Sequence, residues 1–462
     1  MNTGALHYLS LAELSGLIRN RTVSPVEIVK SQLARIGELN TTLNAYLLVM
    51  EDAAIAQARA AEAAITAGDY RGPLHGVPIA VKDQFFTKGV RTQGGLKLLS
   101  GHVPEHDAAA VKLLKNAGAI LVGKLHTAEG AMDGYHRGFP VPRNPWGKDR
   151  WPGVSSSGSG VAVAAGMCFA ALGTDTGGSV RIPSAANGIV GLKPTHGVVS
   201  VQGVLPLAAS FDHVGPMARS VGDAAILLHA IAGQMDEPTL GLEGVRIGFD
   251  EKMCSDGVQP CETEAMCQAV HVLQNRGARV VPASLPALDD VSGIWYTIAA
   301  AEAALAHRET FPSRHSEYGE GFRAFLELGR SISAEAYSEA QKQRAEWSSR
   351  TAECFRDFDV LVCPSLPGEA FRYNPQDAYS GPDLAAGHSD GVPLAYLTAM
   401  NRLVLPFNLN GYPALSLPCG MSPGGMPLSV QFVGRPLSEP LLIQCGTAFE
   451  NETTWHLRHP PV

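Results

Sequence analysis

Residues 153–183 contain the densest glycine and serine chemistry in the chain. They read GVSSSGSG (153–160), then the apolar run VAVAAGMCFAAL (161–172), then GTDTGGSVRIP (173–183). The apolar run is typical of a short helix, with one serine-bearing glycine loop on each side of it. Such a helix can bring the two loops together, so the stretch predicts one specialised site within a larger fold.

The second loop predicts an anion-binding nest. Thr176, Gly177, Gly178 and Ser179 present successive backbone N–H groups, and glycine adopts positive φ at little cost. Aimed at a carbonyl oxygen, these four amides would form an oxyanion hole. A nucleophile inside the nest would attack the carbon whose oxygen the nest binds, and the Ser179 hydroxyl fits that role.

A serine hydroxyl needs a base to accept its proton at neutral pH. His196 is the histidine that lies near the two loops in sequence. Lys82 is a second candidate, because it follows a buried apolar strand that begins at Val77. Desolvation lowers the pKa of a buried lysine from about 10.4, so that the neutral amine can act as a base. Ser155 in the first loop would then relay a proton from Ser179 to Lys82.

Helix and strand signals alternate on both sides of this stretch. Ser10 and Ser24 each precede a Glu by three residues, a pattern that predicts a helix after each serine. Alternation of the two kinds of element is typical of a layered α/β fold. Further helices are predicted over 51–66, 107–117 and most of 262–350, and strands over 77–81, 119–122, 359–367 and 413–420.

The chain shows no internal repeat, low-complexity tail or linker, and we therefore expect one domain over residues 1–462. Within it we expect a helical packing region at 1–70 and a catalytic core at 71–225. Residues 226–462 would supply a helical insertion and the C-terminal strands that complete the core.

Composition excludes several classes of protein. A net charge of -8 with no block of like charges argues against a nucleic-acid surface. No apolar run approaches the roughly 20 residues that cross a bilayer, and the N-terminus lacks a secretory pattern. Eight cysteines without a C-x-x-C pair predict reduced thiols in a cytoplasmic protein. We expect no membrane or nucleic-acid partner and a monomer or homodimer.

The region from Gly153 to Ser184 resembles the amidase signature family. That family's motif is a Gly-x-Ser-[Gly/Ser]-[Gly/Ser]-Gly loop followed by Gly-x-Asp-x-Gly-x-Ser-[aliphatic]-Arg-x-Pro, and each defined position is filled here. Similar landmarks cover most of the chain, at GVPIAVKD (76–83), GLKPTHG (191–197), SFDHVGPMARSVGD (210–223), NGYPALSLPCG (410–420) and GMPLSVQFVGRP (425–436).

The resemblance implies a catalytic triad without a cofactor. Ser179 would be the acyl-accepting nucleophile, Ser155 the bridging serine after a cis peptide bond, and Lys82 the neutral base. It implies a mixed central sheet flanked by helices on both faces. Two departures occur: Val154 stands where many members have Gly, and His196-Gly-Val where many have Tyr-Gly-Arg.

Several other residues fit the pattern of a site less well. Met132 and Asp133, with Tyr135 and His136, lie in a segment that lines the acyl pocket in relatives. Arg181 and Asp175 more often brace a loop than react.

Two other motifs are rejected on chemical grounds. The G-x-S-x-G pattern around Ser422 resembles a hydrolase elbow, but Pro423 has no N–H to give an oxyanion. His102 and His106 are separated by Pro104, which argues against a metal-binding helix.

We predict hydrolysis of a C–N bond in a small-molecule amide or carbamate (urethane), or of an ester in an esterase-biased member. A relay that protonates the leaving nitrogen makes amides accessible. An alternative is an amidotransferase-type subunit that makes ammonia from glutamine for a partner acting on transfer RNA. That function needs a cation for the glutamine carboxylate, for which Arg372 is the candidate. A catalytically silent binding protein is a third possibility.

Overall fold

The computed structural model describes residues 6–233, 241–383 and 387–462. The strands in these ranges are β1 (Tyr46–Val49), β2 (Pro78–Lys82), β3 (Ile120–Leu125), β4 (Ala170–Asp175), β5 (Val190–Lys193), β6 (His213–Ala218), β7 (Arg246–Phe249), β8 (Arg279–Pro282), β9 (Val360–Pro364), β10 (Pro382–Asp383), β11 (His388–Ser389), β12 (Val392–Pro393), β13 (Ala414–Met421) and β14 (Pro427–Gly434). Eleven of them form one mixed sheet in the order β1-β3-β2-β4-β6-β5-β13-β14-β9-β7-β8, and β10-β11-β12 form a small second sheet.

Helices in the described ranges pack around the large sheet. They are α1 (Leu11–Arg19), α2 (Pro25–Leu43), α3 (Glu51–Thr66), α4 (Ala109–Asn116), α5 (Ser157–Ala164), α6 (Arg181–Asn187), α7 (Val221–Ala232), α8 (Glu251–Ser255), α9 (Pro260–Asn275), α10 (Val291–Ala306), α11 (Glu320–Ser331), α12 (Ala334–Cys354), α13 (Leu394–Val404), α14 (Pro406–Leu409) and α15 (Glu439–Glu452).

The strand β2 shows how the layers are built. It is parallel to both of its neighbours, β3 and β4, and all five of its residues are buried. Because strand side chains alternate between faces, Ile79 and Val81 join one core cluster while Ala80 joins another. Helices therefore cover both faces of the sheet, and the predicted α/β fold in a single domain is confirmed.

The predicted N-terminal helices are confirmed. Ser10 and Ser24 are the N-caps of α1 and α2, and each forms a capping box with the Glu three residues on. The helix α3 spans Glu51–Thr66 as expected. The helical prediction for 262–350 holds for α9 to α12. It missed β8, a short strand at the sheet edge whose side chains are largely solvent-accessible and so lack an apolar pattern.

The prediction of a single helix across the apolar run 161–172 is wrong in its second half. The helix α5 begins inside the first loop and ends at Ala164, because Gly166 takes a left-handed φ of 66° that breaks it. The chain then forms β4, which lies between β2 and β6. Because β4 pairs with β2, the second loop, which follows β4, lies at the same end of the sheet as Lys82, the last residue of β2.

Candidate active site

Lys82 is the last residue of β2, and its side chain is fully buried. Its Nζ lies 2.9 Å from Ser155 Oγ and 2.8 Å from Thr174 Oγ1. Burial lowers the pKa of this amine well below its usual range, and the more distant carboxylates of Asp175 and Asp212 only partly oppose that shift. A lysine whose direct partners are hydroxyl groups favours its uncharged form.

Ser155 is held by a loop with an unusual backbone. The Val154–Ser155 peptide bond is cis, as the resemblance implies. Gly153 before it has φ of 74°, and a Cβ there would come within 2.6 Å of the Pro183 backbone. Ser156 N donates to Ser179 O at 3.3 Å, so the loop that carries Ser155 lies directly beside the loop that carries Ser179.

Ser179 lines a cavity and is the last residue of the predicted nest. Gly178 has φ of 108°, which favours glycine. One part of the prediction needs correction: the Gly178 amide already donates to Asp175 Oδ1 at 2.8 Å, so it is engaged within the loop. Within the described residues the amides of Thr176, Gly177 and Ser179 have no hydrogen-bond acceptor, which leaves these three for an oxyanion.

The link between the two serines is open in this structure. Within the described part of the chain no hydrogen bond joins Ser155 Oγ to Ser179 Oγ, and the Ser179 hydroxyl has no partner of its own. Hydrogen bonds of this kind are often loose without substrate and tighten in the complex.

Thr174 and Gln84 belong to the site, and the sequence reasoning missed both. Thr174 Oγ1 lies 2.8 Å from Gln84 Oε1, and Gln84 Nε2 donates to Leu205 O at 3.2 Å, which fixes the orientation of the amide. An amide oxygen only accepts, so Thr174 donates a hydrogen bond to Gln84 and accepts one from Lys82. No clear sequence signal pointed to Thr174, because the strand in which it is the penultimate residue was not predicted.

This short chain of hydrogen bonds directs the lone pair of Lys82. A neutral amine has two N–H groups and one lone pair, and one of the N–H groups donates a hydrogen bond to Thr174. The Ser155 hydroxyl, 2.9 Å from the nitrogen, is then able to donate to the lone pair. The arrangement is chemically suited to take a proton from Ser155.

Asp175 and Arg181 brace the second loop, as predicted. They form a fully buried ion pair with Nε 3.0 Å from Oδ2. Burial alone would raise the pKa of Asp175, but the charge and hydrogen bonds of Arg181 outweigh burial and hold that pKa well below its usual range. Arg181 also donates to Asn408 Oδ1 at 2.6 Å, so the loop is tied to α14.

The cavity beside Ser179 includes both residues that were weakly assigned to substrate binding, Met132 and Asp133. Trp295 and Tyr296 from α10 also line it, and the sequence reasoning did not find them. Their signal, two adjacent aromatic residues on an otherwise alanine-rich helix, does not point to a cavity by itself. The cavity wall is therefore built from parts of the chain more than 150 residues apart.

Other candidates lie elsewhere. Tyr135 bonds Ser157 Oγ at 2.6 Å and is buried, and His136 accepts from the Gly138 amide at 2.9 Å; neither lines the cavity. His196 is exposed and packs edge-on against another histidine ring rather than a serine loop. Arg372 is exposed and pairs with Asp149, which removes it as a cation for this cavity.

The remaining motifs have structural explanations. Ser422 lies in the hairpin between β13 and β14, with its hydroxyl on Glu369, so the strand-to-helix context of an elbow is missing. His102 and His106 pack against the ring of Phe86. Among the described residues no three histidine, cysteine or acidic side chains cluster as metal ligands, and no helix is long and apolar enough to cross a membrane.

Comparisons with known proteins define the class. The family model described as Amidase matches residues 27–443. The Mycobacterium tuberculosis protein named "Putative amidase AmiD" is 40% identical over all of this chain and 98% of its own length. A glutamyl-tRNA(Gln) amidotransferase subunit of Roseiflexus sp. is 37% identical over 98% of both chains. A solved structure titled "Crystal structure of amidase" has a TM-score of 0.86 at 32% identity, over 96% of this chain and 100% of that one.

This chain therefore belongs to the amidase family. The family and these relatives support an amidohydrolase with small-molecule amide substrates.

Proposed function

We propose that this protein hydrolyses the C–N bond of a small-molecule amide or carbamate through an acyl-enzyme on Ser179. The observation that carries the proposal is the buried Lys82 amine, 2.9 Å from Ser155 Oγ, in a loop whose Ser156 N donates to Ser179 O at 3.3 Å. A desolvated amine with hydroxyl partners is a base that is ready at neutral pH, and the neighbouring serine gives it access to the cavity.

In the acylation step, Ser179 Oγ attacks the substrate carbonyl carbon. The Ser179 proton passes to Ser155 Oγ while the proton of Ser155 passes to the lone pair of Lys82, which becomes an ammonium group. The carbonyl oxygen becomes an oxyanion held by the amides of Thr176, Gly177 and Ser179. Each such donor typically contributes about 10²–10³ in rate.

The same path then runs in reverse. Lys82 returns its proton through Ser155 to the leaving nitrogen, the C–N bond breaks, and the amine departs. Water replaces the amine and attacks the acyl carbon, losing one proton to Ser155 while Ser155 passes its own proton to Lys82. The proton returns to Ser179 Oγ as the carboxylate or carbamate leaves. An amine leaves poorly unless protonated, so a relay that delivers the proton suits amides as well as esters.

The amidotransferase alternative rests on the 37% identical amidotransferase relative, and the cavity does not favour it. Glutamine carries an α-carboxylate that needs a cation, and the described residues lining the cavity include no lysine, arginine or histidine. Arg372, the candidate for this role, lies exposed on the surface. We therefore place free glutamine among the poor substrates.

The test is a panel of short primary amides, anilides, carbamates and esters together with glutamine, assayed on the purified full chain. Intact mass measured after quenching reports the acyl adduct. We expect turnover of at least one amide or carbamate, an adduct on Ser179, and a loss of at least about 10⁴-fold in kcat for Ser179→Ala. Ser422→Ala is the matched control, and turnover that depended on Ser422 instead would overturn the proposal.

A further inference from the structure

The cavity beside Ser179 has one acidic side chain and no basic one among the described residues that line it. The acidic side chain belongs to Asp133. Most of the remaining wall is apolar or aromatic, including Leu207, Met400 and Leu405. A lone carboxylate in an apolar wall is costly unless something pairs with it, because burying a charge removes its hydration.

Other buried carboxylates of this protein have partners inside the chain. Asp175 pairs with Arg181, Asp83 pairs with Lys124 at 3.2 Å, and Asp212 accepts from Thr176 Oγ1 at 2.6 Å. Within the described residues Asp133 accepts no hydrogen bond and forms no ion pair. The carboxylate that faces the substrate space is thus the one whose partner the protein does not provide.

The surroundings of Asp133 favour positive charge. Burial raises the pKa of Asp133 to about 6, which leaves it ionised at neutral pH. Asp390 is close enough to interact with it, and Asp133 contributes to raising the pKa of Asp390 to about 7, after burial. The described residues of the cavity wall include no cationic side chain that could pair with Asp133 or Asp390.

The aromatic residues of the wall add to this preference. The Trp295 indole is fixed by its Nε1, which donates to Thr176 O at 2.9 Å. The Tyr296 ring lies perpendicular to it, with 5.0 Å between ring centroids. Aromatic faces attract organic cations, and the attraction is stronger where water is excluded. A carboxylate and two ordered aromatic rings around one cavity form a typical recognition set for an ammonium or guanidinium group.

We propose that this cavity selects amide substrates that carry an organic cation, an ammonium or guanidinium group, which pairs with Asp133 while Ser179 attacks the carbonyl. This inference rests on the proposed function, because it names the substrate class of the same site. The expected order of kcat/KM for substrates of equal size is cationic, then neutral, then anionic.

Two substrate series test the order without assuming where the cation lies. The first series has the cation on the acyl side: ω-amino alkanamides with one to five methylenes, each beside the alkanamide in which methyl replaces ammonium. The second has it on the leaving side: N-(ω-aminoalkyl)acetamides beside N-alkylacetamides. A carboxylate-terminated analogue completes each set. We expect the full-length enzyme to prefer the cationic member of at least one pair by about 10-fold to 100-fold in kcat/KM.

The variant Asp133→Asn keeps the shape of the side chain and removes its charge, so the ratio between cationic and neutral members should fall to about one. Asp133→Glu should keep a preference. Asp289→Asn, which removes an exposed charge that is not part of the cavity lining, is the matched control and should leave the ratio unchanged. Thermal unfolding of each variant reports whether it folds.

Calorimetric titration with n-butylammonium chloride and with 1-butanol measures the same selectivity without turnover. Ammonium binding that Asp133→Asn weakens about 10-fold or more supports the inference. A neutral member preferred at every length, a ratio unchanged in Asp133→Asn, or butanol bound as tightly as butylammonium overturns it. Failure of every amide to turn over or acylate Ser179, with ammonium still bound through Asp133, instead overturns the proposed function.

Discussion

Two buried lysines on adjacent strands have opposite surroundings. Lys82 ends β2 and Lys124 lies on the parallel neighbour β3, one position away in register, and both side chains are fully buried. Lys124 faces the carboxylate of Asp83 at 3.2 Å, and its other partners are Phe85 O and Thr92 Oγ1. Among the described residues, Lys82 has only hydroxyl groups within hydrogen-bond distance.

The difference lies in what each amine pairs with. Burial lowers the pKa of both amines, but Asp83 opposes the shift at Lys124 from direct contact, whereas the carboxylates acting on Lys82 are not in contact with it. We infer that Lys124 is a charged structural residue and Lys82 a neutral base. Burial alone therefore does not make a lysine a candidate base; the groups that its amine contacts decide how far the neutral form is favoured.

The largest expected effect is on catalysis at Lys82. Lys82→Ala removes the base, and we expect kcat to fall by about 10³-fold or more while the chain stays folded. A fully neutral side chain leaves no unpaired charge behind, so the cost to stability is that of a cavity. The measurement is kcat on a neutral amide, with far-ultraviolet circular dichroism as the folding control. Near-normal kcat would refute the role of Lys82.

Some of this contrast was readable from the sequence. Lys82 follows an apolar run, and successive side chains of a strand point to opposite faces, which argues against pairing between Lys82 and its neighbour Asp83. The actual partner of Asp83 comes from β3, and only the parallel register brings Lys124 beside it. Register between distant strands depends on packing of the whole sheet, which a single sequence pattern does not fix.

The site shows the same division. The motif with Ser155 and Ser179 could be predicted because it depends on residues that are close together in the sequence. The same holds for the capped helices. Thr174 lies beside Lys82 because β4 pairs with β2, and Trp295 lines the cavity from a helix more than 100 residues later in the chain. Neither position follows from the local sequence. The apolar run that was predicted as one helix is helical only as far as Ala164. From Ala170 it forms β4, because β2 and β6 supply hydrogen-bond partners. Tertiary pairing overrides local propensity in such cases.

The second effect concerns stability at Lys124. Lys124→Met leaves Asp83 buried without its cation, and we expect the free energy of unfolding to fall by about 3–5 kcal/mol. The double variant Lys124→Met/Asp83→Asn removes both charges and should recover part of that loss, because an uncharged pair avoids the unpaired buried charge. Urea unfolding measures both. Equal losses in the single and double variants would contradict the assignment of Lys124 as an ion-pair partner.

A third, smaller effect compares the hydroxyl groups beside the two lysines. Thr174→Val removes the acceptor that occupies one N–H of Lys82, so its lone pair is no longer directed at Ser155. We expect kcat to fall about 10-fold to 100-fold with little change in KM. Thr92→Val makes the matched change 2.7 Å from Lys124 and should leave kcat near normal. Thr174→Ser keeps a hydroxyl at this position and should keep most of kcat. A change in KM with kcat unchanged in Thr174→Val would argue against this positioning role.

The smallest effect is a flat pH profile. A base with the ordinary lysine pKa of about 10.4 would make kcat/KM rise about tenfold per pH unit from neutrality up to that value. The pKa of Lys82 is instead lowered well below its usual range by burial, so the base is neutral above that lowered pKa and lost as the pH falls through it. Asp175 and Asp212 interact with Lys82, and burial raises the pKa of Asp212 only to about 6, so both carboxylates stay ionised in the alkaline range.

With a neutral amide as substrate, we expect kcat/KM to change less than about twofold between pH 8 and 10. A continued tenfold rise per unit would mean that Lys82 is protonated at neutral pH, and the contrast with Lys124 would then fail.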